Sequence, residues 1–373
     1  MSSPRIEVDL SKIRHNTRTI VERLKARGIH VTGVTKAVCG HPAIAQAMLD
    51  GGAAGLAEAR LSNVRRLRKA EITCPITLIR TPMLSQAEDV VQVCEASYNT
   101  ELTVISALAV AAIRQKKVHE VILMIEMGDL REGILPQDLG GIAQQVVDMP
   151  GVALKGIGAN FACLSGVAPT ATKMQDLSDL VKNIEGRCGS VLQAVSGGNS
   201  ANLPWALGEL PIGRINDLRI GEAILLGVDP VSGNQIGGMY RDAFTLFAEV
   251  IETNAKPLSP PISFANPVLA KLHLVPEIET GERAILAIGL QDTDISGLSL
   301  PLGNTFIGAT SDHLILGTKL ETRRLGSEMR FKMNYSALMR AMAAPDVQTN
   351  LLHDRPAPDV RDSHGPNKHL ALV

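Results

Sequence analysis

"HVTGVTKAVCGHPAIAQAMLDGG", residues 30–52, reads as one complete strand-to-helix unit. A β-branched run ends on Lys36, a loop carrying Gly40 and Pro42 follows, and apolar residues then return at helical spacing until Gly51 and Gly52 close the segment. The same unit recurs along the chain. Strand candidates follow at "AAGLAEA" (53–59), "CPITLIR" (74–80), "ASYNTEL" (96–102), "EVILMIE" (120–126), "VALKGIGANF" (152–161), "VLQAVSG" (191–197) and "LRIGEAILLG" (218–227). Between them lie helical segments such as "RLSNVRRLRK" (60–69), "ALAVAAIRQK" (107–116) and "MQDLSDLVKNIEG" (174–186). An open doubly wound sheet shares this alternation, but eight units in about 200 residues is the count that closes a (β/α)8 TIM barrel.

Near residue 236 the texture changes. "FTLFAEVIET" (244–253), "AILAIGL" (284–290), "TFIGATSDHLILG" (305–317) and "EMRFKMNY" (328–335) are short strands broken by turn residues, with no long helical stretch until "SALMRAMAA" (336–344). We therefore expect an α/β chain: a barrel over 1–235, a mostly antiparallel β-domain over 236–350, and a Pro-rich, polar, disordered tail over 351–373. The leading "RIEVDL" (5–10) is expected to lend its strand to the β-domain, because domain termini often lie close together.

Composition narrows the function. A formal net charge of -1, with no block of Lys or Arg, argues against nucleic-acid or membrane-surface binding and for a small-molecule ligand. Five widely spaced cysteines without a CxxC pair suit free thiols in a reducing compartment. The first residues turn charged before a signal-like apolar run, so a cytoplasmic protein is expected.

Strand ends in a barrel face the active-site mouth, which puts Lys36 where a catalytic amine would stand. An isolated lysine there is more often a surface residue. Three motifs on the same face change the balance: "IEMGDLREG" (125–133), "SGGNSAN" (196–202) and "RIGEAILLG" (219–227). The second offers unhindered N–H groups at Gly197 and Gly198 and the hydroxyls of Ser196 and Ser200, with Gly221 close by in the third, as a phosphate cradle requires. Amine and phosphate site together suggest a Schiff base to pyridoxal 5'-phosphate.

With "ANFACLSG" (159–166) these motifs, in this order, resemble the fold-type III pyridoxal-phosphate proteins of the alanine racemase superfamily, most closely its ornithine/lysine-type amino-acid racemase branch. The resemblance spans about residues 4 to 345. It implies a homodimer whose β-domains help close each other's sites, a free amino acid as substrate, and no metal. It also implies roles: Lys36 as Schiff-base lysine and base, Arg219 facing the pyridine nitrogen, Asn160 steadying that arginine, and Arg131 near the substrate carboxylate. Ser196, Gly198, Ser200, Gly221 and Glu222 would belong to the cofactor site. An arginine has only donors and keeps its proton, so the ring is a weak electron sink, which suits racemisation over transamination.

Two departures stand out. Alanine racemases carry a phosphate-binding tyrosine four residues after the lysine, where this chain has Cys39 and Gly40. Their second base is a tyrosine early in the β-domain, and "SPPISFANPVLAK" (259–271) contains none. Tyr335, Asp312, His313, Asp292 and Asp294 are the remaining candidates, and Asp312 in "SDH" is favoured. Two other functions on this fold are weighed: a cofactor-binding homeostasis protein, which would lack the β-domain, and a D-amino-acid lyase. The latter uses a β-domain His-x-Cys metal pair, which cannot form here because the last cysteine is Cys188. The expectation is a pyridoxal-phosphate-dependent racemase of a free amino acid, ornithine or lysine for choice.

Overall fold

Eight parallel strands close into a barrel: β2 (His30–Val34), β3 (Gly55–Glu58), β4 (Ile76–Leu78), β5 (Ala96–Asn99), β6 (His119–Ile125), β7 (Val152–Ala159), β8 (Ala194–Ser196) and β9 (Asp217–Ile220). Pairing of β2 with β9 completes the ring, Thr32 opposite Arg219 and Gly33 opposite Ile220. The computed structural model describes residues 3–189, 191–256, 281–318 and 324–352. All eight strand stretches of the sequence fall on these strands. The second half of the last one folds differently: "EAILL" is a short helix, Glu222–Leu226, ended by Gly227 at φ 66°.

The helices bury one stripe each. Leu10–Lys25 is capped by Asp9, whose carboxylate accepts the N–H groups of Ser11 and Lys12, and it buries Ile13, Thr17, Ile20 and Leu24. Outward side chains of the barrel join the same layer: Leu218 and Ile220 of β9 are fully buried in it. Inside the barrel the filling is divided. Ala96, Tyr98, Ile122 and Met124 form a separate apolar cluster on one side. On the other, Thr32, Ser196, Asp217 and Arg219 are joined by hydrogen bonds.

The second sheet runs β12 (Leu298–Ser299), β15 (Glu328–Met333), β10 (Phe244–Lys256), β11 (Gly281–Leu286), β14 (Leu314–Thr318) and β13 (Asn304–Ala309). The N-terminal strand β1 (Arg5–Asp9) pairs antiparallel with β10 and parallel with β16 (Gln348–Leu352). Arg5, almost fully buried, lies over the Phe247 ring and pairs with Glu328 and Glu7, tying the first strand into this sheet. Leu351 and Leu352 therefore belong to a strand rather than to a tail, opposite Val8 and Asp9. The rest of the expected tail, 353–373, lies outside the described residues. Helix Tyr335–Ala341 packs the β-domain onto the Lys36–Val38 turn of the barrel. No helix among the described residues is long and apolar enough to cross a membrane.

One buried histidine carries a pH prediction. His119, 2% exposed at the start of β6, shares a 2.8 Å hydrogen bond with Ser97 Oγ, and burial pushes its imidazole down to about 4. The unfolded chain takes up this proton near pH 6.5, so stability falls as pH drops from about 6.5 toward 4. The loss from this site is up to about 3 kcal/mol. In urea titrations at pH 7 and pH 4.5, His119→Gln should lose less stability on acidification than the wild type; equal losses would assign the acid response elsewhere.

Candidate active site

Lys36 stands at the mouth of the barrel because a buried carboxylate fixes the strand end before it. Thr35 Oγ1 donates to Glu58 Oε1 at 2.7 Å, while Glu58 Oε2 accepts Ala59 N–H at 3.0 Å and Asn63 Nδ2 at 3.1 Å. Glu58 is fully buried, and burial raises its carboxyl pKa against these hydrogen bonds. The chain after Lys36 then turns through Cys39 at φ 53° and Gly40 at φ 60°. Half-buried, the Lys36 amine has no hydrogen-bond partner among the described residues. Its pKa is lowered, first by desolvation and then by the charges of Arg131 and Arg219, with Cys163 and Glu58 acting the other way. A lysine so placed has a larger neutral fraction, which a nucleophile or base needs.

The amine opens into a cavity of about 380 Å³, lined by Lys36, Asn160, Ser200, Arg219, Glu222 and Tyr335 among others. Gly221 also lines it. A Cβ at Gly221 would lie 3.0 Å from Val34 Cβ and 3.1 Å from its carbonyl oxygen, so glycine lets the end of β9 pass close beside β2. Ser200 Oγ accepts Ala223 N–H at 3.3 Å at the same edge. At Gly198 the backbone lies at φ 138°, and a Cβ would meet Asn202 Oδ1 at 2.1 Å.

Arg219 is 5% exposed and held on both Nη groups. Nη1 donates to Ser196 Oγ at 2.6 Å and Tyr98 OH at 3.2 Å; Nη2 donates to Ala159 O at 2.7 Å and reaches Asn160 Oδ1 at 3.5 Å. The guanidinium carbon lies 4.8 Å from the Tyr98 ring centroid. Asn160 in turn donates to Asp129 Oδ2 at 2.8 Å and accepts from Asn199 at 3.0 Å. Asp129 also takes the N–H groups of Cys163 and Leu164, so one carboxylate pins the loop at the cavity wall.

Not every residue singled out in the sequence reaches the cavity wall. Ser196 lies below it, fully buried, its hydroxyl shared between Arg219 and Asp217, whereas Ser200 and Gly221 line the cavity. Gly198 shapes the loop from behind. Arg131 pairs with Glu132 at 2.8 Å and lies 3.7 Å from Asp129, beside the mouth rather than in it. Asp312 and His313 lie on the exposed β13–β14 hairpin and do not line this cavity. Asp294 caps the 295–297 turn and accepts from Ser336; Asp292 accepts Gly289 N–H. The stretch 259–271 lies outside the described residues. Tyr335 does line the cavity, its phenol pKa raised by burial and by Glu222 and Cys163. Glu58, Tyr98 and Asp217 are the contributors that reading the sequence missed.

The site thus joins an amine without a hydrogen-bond partner among the described residues at the end of the first barrel strand, a donor-only arginine beneath it, and Ser200 and Gly221 at one edge. The chain belongs to the family of the alanine racemase N-terminal domain, whose family model matches residues 8–230. It is 36% identical over 353 residues to the lysine racemase of Thermotoga maritima, covering 93% of this chain and 98% of that one. It is 33% identical over 355 residues to the ornithine racemase of Acetoanaerobium sticklandii, covering 94% and 99%. Among solved structures, alanine racemase from D-cycloserine-producing Streptomyces lavendulae matches with TM-score 0.73 at 19% identity, covering 95% of this chain and 99% of that one. D-Threonine aldolase from Filomicrobium marinum matches with TM-score 0.71 at 17% identity, covering 92% and 89%. Fold likeness at these identities spans more than one reaction, so chemistry must be argued from the site.

Proposed function

We propose that this protein is a pyridoxal-phosphate-dependent racemase that interconverts the enantiomers of a free amino acid with a cationic side chain, ornithine or lysine. The observation that carries it is the Lys36 amine sharing one cavity with a buried, donor-only Arg219. Similarity to lysine and ornithine racemases along nearly the whole chain supports both reaction and substrate class. Pyridoxal phosphate, when bound, supplies an aldehyde and an electron-withdrawing ring that together make a Cα proton acidic.

The chain's own groups do the rest. Lys36 would hold the cofactor in the resting protein, and its amine is placed to take or return a Cα proton on its face. Arg219 would hold the ring by a hydrogen bond it cannot convert to proton transfer, since a guanidinium stays protonated. Ser200 and Gly221, on the cavity edge, would hold the phosphate. Tyr335 keeps its proton at neutral pH, because burial and neighbouring acids push its pKa up, and presents a hydroxyl to the cavity. Glu222, the carboxylate on the cavity wall, is suited to a cationic side chain. The exposed hairpin bearing Asp312 serves a second copy of the chain in a dimer, where its carboxylate would reach the site from outside the barrel.

The test is a panel of L-lysine, L-ornithine, L-alanine and L-glutamate with cofactor-loaded protein, followed by chiral chromatography. D-lysine or D-ornithine should form at least about tenfold faster than the other products, as expected when a buried polar group in the site goes unpaired with the wrong substrate. Equal rates would remove the substrate assignment, and no inversion of any of them would remove the racemase assignment.

A further inference from the structure

Arg219 divides the barrel. Above it lies the cavity with Lys36; below it lies a second cavity of about 230 Å³, reached from the other end of the strands and lined by Thr32, Tyr98, Lys155, Asp217 and Arg219 among others. A guanidinium in such a place calls for a counter-charge, because burial strongly disfavours an unpaired cation. Among the described residues no carboxylate touches it directly: its four hydrogen bonds there end on neutral oxygens of Ser196, Tyr98, Ala159 and Asn160.

The counter-charge stands one hydroxyl away. Ser196 Oγ accepts from Arg219 Nη1 at 2.6 Å and donates to Asp217 Oδ2 at 2.5 Å, while Thr32 Oγ1 donates to Asp217 Oδ1 at 2.7 Å. The direction of the chain follows from the donors available. Arginine has no acceptor, so the single Ser196 proton must point to Asp217, and each Asp217 oxygen receives one hydrogen bond as a carboxylate. Asp217 and Arg219 are two residues apart on β9, which turns both into the barrel, and Ser196 comes from the neighbouring β8. With both Nη groups held, Nε–H is the Arg219 donor left without a protein partner among the described residues, and the residue lines the upper cavity.

We propose that Asp217 is a positioning residue for Arg219. Through the Ser196 hydroxyl, and braced by Thr32, it orients the guanidinium so that its free N–H is presented to the cofactor ring from below. The inference rests on the reading that Arg219 faces that ring. Its consequence concerns reaction fidelity: an arginine that is held keeps the ring nitrogen bonded to a donor that does not give up its proton. A loosened arginine lets water protonate the nitrogen, and the ring becomes a stronger electron sink. The proton taken from Cα would then be added to the former aldehyde carbon of the cofactor instead of returning to Cα, and hydrolysis would release a 2-oxo acid and leave the amino group on the cofactor.

The experiment compares wild type, Asp217→Asn and Ser196→Ala, each loaded with pyridoxal phosphate, in three measurements: cofactor affinity with its visible absorbance, kcat and KM for racemisation, and 2-oxo acid formed per inversion. Both variants should bind cofactor within about threefold of wild type, with kcat down about tenfold, KM nearly unchanged and 2-oxo acid per inversion up about tenfold, the size expected when a reacting group is slightly misplaced. Simple loss of stability would lower the amount of folded protein without moving that ratio. Should Asp217→Asn fail to fold, Ser196→Ala keeps both charges, removes only the bridge, and carries the same expectation. Unchanged 2-oxo acid per inversion and kcat within twofold of wild type in the folded variants would overturn the proposal. A wild-type protein that takes up no cofactor would overturn it together with the function it rests on, whereas normal wild-type racemisation with unaffected variants would overturn the relay alone.

Discussion

Lys36→Ala is expected to abolish the visible absorbance of the loaded protein near ~420 nm and to lower racemisation by about 10⁴-fold or more. The size follows from two losses in one residue: the covalent hold on the cofactor and one of the groups that moves the Cα proton. Folding should survive. Burial disfavours the charged Lys36 amine, so removing it relieves a cost, and the variant without cofactor should melt at or above the wild-type temperature. Adding methylamine could restore part of the proton transfer but not the covalent attachment. A visible band that persists in Lys36→Ala would show that another amine holds the cofactor, and the site built around β2 would be wrong.

Arg219→Glu is the second large effect. The loaded variant should retain its visible band, because Lys36 is untouched, yet lose about 10²-fold or more in racemisation while 2-oxo acid production rises. A carboxylate shares a proton with the ring nitrogen and strengthens the electron sink, which is the opposite of what a guanidinium does. Stability should fall as well. The new carboxylate would face Ala159 O and the Ser196–Asp217 pair, replacing a buried cation by a second buried anion, at a cost of about 3–5 kcal/mol. Arg219→Gln, which adds no charge, should show the loss of racemisation with less of the stability penalty. If Arg219→Glu racemises as well as wild type, Arg219 does not face the ring.

The barrel is legible because its strands are short and separated by helices of apolar 3.6-residue period, two of which, Pro42–Asp50 and Ala171–Cys188, end at glycine. The N-terminal strand is expected in the β-domain because domain termini lie close together, and it pairs with β10 and β16. Other features depend on closure. Glu58, Tyr98 and Asp217 carry no motif of their own in the sequence, and only the ring of strands brings Glu58 to Thr35, Tyr98 to Arg219 and Asp217 to Ser196. Ser196 was grouped with its loop neighbours Gly198 and Ser200, yet it is the last residue of β8, where its side chain turns into the barrel below the cradle. Glu222–Leu226 folds as a helix although "AILL" suits a strand as well, and Gly227 at φ 66° ends it. Asp312 was singled out by resemblance. Its own chain leaves it exposed on a hairpin, so any role at the site depends on a second copy.

The most direct test of a Lys36-centred racemase is Cα–H exchange. The cofactor-loaded protein is incubated with L-lysine or L-ornithine in D2O, and deuterium at Cα and enantiomer composition are followed together by mass spectrometry and chiral chromatography, with Lys36→Ala in parallel. We predict deuterium in the inverted enantiomer at the rate of inversion for wild type, and neither deuterium nor inversion for the variant. A loaded wild-type protein that exchanges no Cα proton with either amino acid would contradict the account.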